Sequence, residues 1–169
     1  ETMSDLSFMI TTDTCCDLPK SYIQEHGLDV VTLYYNMKGV AYGKEIELEV
    51  KEFYDMMRGG EMPTTMAANP EELHEMFEKY LKEGKDILHL AFSSELSSSY
   101  NNAAVVASEL NEQYTENKVI VIDTLSASLG QGLVVHKAVQ LRKEGKTIEE
   151  TAAWVEENKL HFCHQFTVD

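Results

Sequence analysis

Positive charge is what this sequence has least of. It carries 14 Lys and Arg against 29 Asp and Glu, a formal net charge of −15. Phosphate backbones and anionic lipid surfaces repel such a chain, so neither nucleic acid nor stable membrane insertion is expected. The acid is spread along predicted helices such as EELHEMFEKY and TIEETAAWVEEN, where it forms a solvated face. Cysteine is sparse too. Cys15 and Cys16 are adjacent and Cys163 stands alone, an odd set without framework spacing that suits a reducing compartment. No apolar run is long enough to span a bilayer, and ETMSDLSF lacks the basic start and apolar stretch of a signal peptide. A soluble cytoplasmic protein is the expectation.

Several chemical signatures are also missing. Without GxxxxGKS/T there is no P-loop, and the GQG around Gly130 is too short for a dinucleotide fingerprint. No serine stands in a GxSxG elbow, and no set of nucleophile, base and orienter can be assembled. HEMFE at His74 lacks the second histidine of a zinc protease. HFCHQ offers His161, Cys163 and His164, with His164 on the opposite face of an alternating strand and no fourth ligand. No catalytic residue, metal or cofactor is therefore expected.

What is present is an alternation of strand and helix signals. Across 169 residues with 43% hydrophobic and 25% charged content, it predicts one domain, 1–169, of α/β class: three layers around a mostly parallel sheet. LSFMITT reads as a first strand, KSYIQEHG as a short helix, LDVVTLYYNM as one second strand, and KGVAYG as a hairpin partner. EVKEFYDMMRGG reads as a helix ended by its glycines, and GGEMPTTMAANP as a loop. Asn69, Pro70 and Glu72 then form a box-like start to a helix with an apolar stripe of Leu73, Met76, Phe77, Tyr80 and Leu81. KDILHLAF and NKVIVID read as buried strands, each followed by a helix. Thr147 with Glu150 caps the last helix, and HFCHQFTV reads as a final strand.

In an open parallel sheet, ligands bind beyond the carboxyl ends of the strands. The segments there are TTDTCCD, SSELSSS and DTLSASLGQG, with GGEMPTTMAANP beside them. All are rich in hydroxyls and small residues, and none supplies a cation. Hydroxyls and free N–H groups at a helix N-terminus suit a single carboxylate better than a polyphosphate. One serine of 97–99 is needed as a helix cap; five serines within residues 93–99 exceed that need.

These four segments together carry a resemblance. TTDTCCDLP resembles the T-D-S-x-x-D-L-P opening of the DegV family of fatty-acid-binding proteins, with Thr14 in the serine place. SSELSSSYNNA resembles S-S-x-L-S-G-T-Y-x-x-A, keeping Ser97 and Tyr100 but with Ser98 and Ser99 for Gly-Thr. DTLSASLGQGLVVHKA resembles the family's D-S-x-x-x-S-x-G-x-G-L stretch. PTTMAANP sits where the family has P-x-T-S-Q-P-x-P, with Thr65 matching and Met66, Ala67 and Ala68 replacing Ser-Gln-Pro.

The resemblance implies a carrier rather than an enzyme. It would enclose a long-chain fatty acid, grip its carboxylate with hydroxyls, and present it to a fatty-acid kinase for phospholipid synthesis. Thr65 and Ser97 become the leading ligand-binding residues, followed by Ser94, Thr14, Asp13, Ser128 and Gly130. Ser98 and Ser99 are then the expected caps. The family has a second domain; the chain stops at that seam, so an N-terminal domain without its C-terminal companion, and an apolar face where that companion packs, are expected. The alternative is a phosphoryl-transfer or kinase-related α/β subunit, which would need a histidine at a strand end.

Overall fold

A computed structural model describes residues 7–13, 19–37, 40–42, 55, 58–60, 65–94, 97–125 and 129–162, with backbone alone at 35, 37, 41, 42, 65, 66 and 129. In chain order the elements are β1 (Phe8–Asp13), α1 (Lys20–Glu25), β2 (Asp29–Val31), β3 (Leu33–Met37), β4 (Val40–Tyr42), β5 (Thr65–Ala68), α2 (Pro70–Lys82), β6 (Asp86–Ala91), α3 (Ser99–Gln113), β7 (Val119–Asp123), α4 (Leu129–Lys143), α5 (Ile148–Asn158) and a 3-10 turn (Lys159–Phe162).

The main sheet is parallel throughout, in the order β2-β1-β6-β7. Every residue of β1 is buried, as a parallel strand covered on both faces requires. Side chains alternate between two cores. Met9, Ile87 and Val119 face Phe77, Tyr80, Ala107 and Leu110 of α2 and α3. Phe8, Ile10, Leu88, Leu90 and Ile122 face Val134, Val135, Ala138, Ile148 and Val155 of α4 and α5. This is the expected α/β architecture, helix layers on either side of a mostly parallel sheet.

Local chemistry explains the helix starts. Asn69 Oδ1 accepts from Glu71 N at 2.8 Å with Pro70 in the first turn, and the five expected stripe residues of α2 are buried. Thr147 and Glu150 close a reciprocal capping box on α5. Glu72 takes a different partner from the expected box: its Oε1 accepts from Tyr34 Oη at 3.2 Å.

Three expectations are corrected. LDVVTLYYNM is two strands rather than one. β2 pairs with β1, and after the single residue Thr32 the chain enters a second, antiparallel sheet of order β4-β3-β5. Both strands alternate in the same way, so no local signal marks the break. The segment read as a loop, GGEMPTTMAANP, contains β5, whose partners Leu33 to Asn36 are distant in sequence. The final stretch does not begin as a strand: residues 159–162 form a 3-10 turn, with His161 exposed, and 163–169 lie outside the described residues. The helix expected over 49–60 also lies largely outside them. The hairpin β3–β4 pairs as expected, Asn36 opposite Ala41.

At the amino end of the main sheet sits a buried cation. Arg142 donates from Nη1 to Phe8 O at 3.0 Å and from Nη2 to His26 O at 2.6 Å, with its guanidinium 5.9 Å from the Phe8 ring centre. No helix among the described residues is long and apolar enough to cross a membrane. The large apolar side chains exposed among them are Val40, Val105, Leu133 and Leu160, on four different elements.

Candidate functional site

The carboxyl ends of β1, β6 and β7 are knotted together by uncharged donors around one buried carboxylate. Asp13 is fully buried; its Oδ2 accepts from Phe92 N at 2.8 Å and its Oδ1 from Gln131 Nε2 at 3.1 Å. Gln131, in the first turn of α4, also donates to Thr12 Oγ1 at 2.9 Å, while Thr12 donates to Leu90 O at 2.7 Å. Thr124 donates to Ala91 O at 2.8 Å. Asp123 Oδ1 accepts from Ser94 N at 3.1 Å and Leu125 N at 3.0 Å, holding Leu125 in the left-handed region at φ 55°. Residues other than glycine adopt that φ uncommonly.

The serine loop leads from this floor into α3. Ser97 Oγ accepts from Ser99 N at 3.0 Å and donates to Ser99 Oγ at 2.8 Å, so Ser97 performs the capping that was expected of its neighbours. Ser98 occupies the N-cap position without a side-chain cap bond. Ser99 is buried at 1% exposure, and its Oγ accepts from Ala68 N at 2.9 Å. Asn102 Nδ2 donates to Ala68 O at 3.0 Å. Strand β5 is thereby tied to the start of α3.

Of the expected site residues, Asp13, Ser94 and Ser97 therefore stand at neighbouring strand ends, with Ser94 exposed and Ser97 half-buried. Gly130 is buried at the start of α4, one residue before Gln131. Thr65 opens β5, opposite Asn36, and is described by its backbone alone. Thr14 and Ser128 lie outside the described residues. Gln131 and Asn102 were not singled out by the sequence, and Ser99 was read only as a cap. Gln131 lies inside the GQG of the loop motif, and Asn102 inside YNNA, but nothing local says which way an amide points.

The strand-end segments TTDTCCD, SSELSSS and DTLSASLGQG contain no lysine, arginine or histidine. Arg142 binds the first residue of β1, the opposite end of the strand from Asp13. His89 is in the body of β6 rather than at a strand-end loop. It is 1% exposed, lies edge-on to Phe77 at 5.2 Å, and shares a 2.8 Å hydrogen bond with Thr11 Oγ1 through Nδ1. Burial pushes its pKa down to about 3, so it is a neutral core residue. No group of His, Cys, Asp and Glu suited to a metal occurs among the described residues. An open groove of about 410 Å³ lies elsewhere, between α3 and the edge strand β7, lined by Ala104, Ala107, Ser108, Asn111, Glu112, Val119 and Val121.

The family model for "Uncharacterised protein, DegV family" matches residues 7–169. The chain belongs to the DegV family. A DegV domain-containing protein of Clostridium perfringens is 44% identical over 164 residues, which are 96% of this chain and 56% of that protein. Among solved structures, a DegV family protein from Thermus thermophilus, described by its fatty-acid binding, shares 30% identity at a TM-score of 0.73, over 92% of this chain and 54% of that one. DegV of Bacillus subtilis, described as a fatty acid binding protein, shares 26% identity at a TM-score of 0.71, over 92% and 55%. The chain thus spans about half the length of the DegV proteins it matches.

Proposed function

We propose that this DegV chain contributes the head-group side of a fatty-acid site, with the carboxylate held by hydroxyls at the carboxyl edge of the main sheet. The observation that carries the reading is the pairing of a hydroxyl-rich, cation-free set of strand ends with a fold shared by DegV proteins described as fatty-acid binders. Ser97 and Thr65 are the proposed donors to the carboxylate, Ser97 by turning its single proton from Ser99 Oγ to the ligand, with Ser94, Thr14, Ser128 and the Gly130 backbone around them. Asp13 is an acceptor and would repel a second carboxylate at contact, so its part is to fix Phe92 N and Gln131 in the floor. Hydrogen bonds from neutral hydroxyls orient a carboxylate but are worth little beside the tail, which contributes about 0.8 kcal/mol per buried methylene. Affinity would come from the acyl chain and direction from the hydroxyls.

The protein would then act as a carrier rather than a catalyst, handing the exposed end of the fatty acid to a fatty-acid kinase that supplies acyl phosphate to phospholipid synthesis. The test is lipid mass spectrometry on the full-length protein purified from cells, together with exchange against added oleate. A co-purifying, exchangeable long-chain acid is expected; its absence in both measurements overturns the reading. Thr65→Ala with Ser97→Ala should weaken retention of the acid, and unchanged retention would remove these two residues from the site.

A further inference from the structure

A helix cap accounts for only one of the hydrogen bonds at the start of α3. Ser97 Oγ accepts from Ser99 N, which serves the helix start. Three further bonds continue outward: Ser97 Oγ to Ser99 Oγ at 2.8 Å, Ala68 N to Ser99 Oγ at 2.9 Å, and Asn102 Nδ2 to Ala68 O at 3.0 Å. Ser99 and Asn102 are three apart, so they lie on one face of α3 and both reach the same residue. Together they take both backbone polar groups of Ala68, the last residue of β5. Ser99 is buried, so water does not substitute for it. The strand that begins with Thr65 and the hydroxyl of Ser97 are therefore both referenced to Ser99, with Asn102 holding the strand's other backbone group.

We infer that Ser99 and Asn102 are positioning residues for the carboxylate site, an inference that rests on the head-group reading above. Ser99 fixes the rotamer of Ser97 through two bonds, from its N–H and, once the Ser97 proton turns to the carboxylate, from its own hydroxyl donating to Ser97 Oγ; with Asn102 it fixes where β5 stands relative to Ser97. A carboxylate accepts in specific directions, so donors on two separate elements can grip it together only if those elements hold a set spacing. An apolar tail makes no such demand. Loosening the spacing should therefore cost affinity for an acid and leave affinity for a neutral ester of the same chain unchanged.

The experiment uses the full-length protein and measures displacement of a fluorescent fatty acid by oleate and by methyl oleate. Wild type should prefer oleate. Ser99→Ala and Asn102→Ala should bind oleate about 10- to 100-fold more weakly, the range for a lost hydrogen bond to a charged group. Methyl oleate affinity should not move, which also shows that the variants are folded. Ser99→Thr keeps the hydroxyl and should restore oleate binding. Equal loss of both ligands, or no rescue by threonine, would make the contacts merely structural and overturn the inference. Variants that keep the wild-type preference for oleate would overturn it alone. A wild type without that preference would overturn the head-group reading and this inference with it.

Discussion

Ser99 Oγ accepts a hydrogen bond from Ala68 N at 2.9 Å, and in doing so joins two places where the sequence departs from the DegV pattern. The pattern has proline at the position of Ala68, which has no N–H to donate, and threonine at that of Ser99. Substitutions that look unrelated in the sequence are partners in space. The coupling can be measured. Ser99→Ala should cost about 1–3 kcal/mol in the wild-type background, because it strands the buried Ala68 N–H. In an Ala68→Pro background the same substitution should cost much less, since no N–H remains to satisfy. Urea unfolding of the four proteins of the cycle gives the interaction directly; additive effects would show that the bond contributes nothing.

His89 should make the domain acid-sensitive. The unfolded chain takes up a proton near pH 6.5, whereas the buried folded histidine resists protonation down to about 3. Below pH 6.5 the unfolded state therefore binds more protons, and stability falls as the pH falls. Between neutral pH and pH 5 this one residue should account for about 2 kcal/mol, the integral of 1.36 kcal/mol per unit over that window. His89→Leu should flatten that part of the stability profile in urea titrations at pH 7 and 5. An unchanged profile would place the acid sensitivity elsewhere.

Arg142 should matter for stability and leave the ligand site alone. Arg142→Met keeps the apolar stem but leaves Phe8 O and His26 O without its guanidinium, at an expected cost of roughly 2–4 kcal/mol. Because these carbonyls lie at the amino end of the sheet, discrimination between oleate and methyl oleate should persist in the full-length variant. Loss of that discrimination would mean that the two ends of β1 are coupled.

Asn111 guards the edge of the main sheet. Its Oδ1 accepts from Val119 N at 2.8 Å and its Nδ2 donates to Val119 O at 3.1 Å, taking both backbone polar groups of Val119, the first residue of β7. An unpaired strand edge is a template for another chain. Asn111→Ala should cost about 1 kcal/mol and raise concentration-dependent association, followed by light scattering. A variant that stays as monodisperse as wild type would show that the groove beside β7 needs no guard.

The sequence announced most of the main sheet and its helices, because their signals are local. FMITTD, DILHLA and VIVID are short runs dominated by apolar and β-branched residues, and the Asn69-Pro70 and Thr147-Glu150 starts are short-range hydrogen bonding. It did not announce β5 or the break at Thr32. A four-residue edge strand in a segment of Thr, Met and Ala has no pattern of its own, and its existence depends on β3, some thirty positions earlier. The site was legible as a class of chemistry, hydroxyls at strand ends. The division of labour among the serines was not. Which of Ser97, Ser98 and Ser99 caps α3 depends on Ala68, a residue that local sequence cannot place nearby.

The small antiparallel sheet joins the main body side by side at Leu33 and Ala68, which are paired to each other: Thr32 alone separates β3 from β2, and Asn69 alone separates β5 from α2. It is a cantilever rooted at that pair, clamped there by Ser99 and Asn102. Thr65 stands three residues out from the root, about 10 Å along the strand. Over that arm a tilt of about 5° at the root carries the strand tip through roughly 1 Å, as much as an oriented contact can tolerate. Two hydrogen bonds at one end of a short beam thus set the aim of the other.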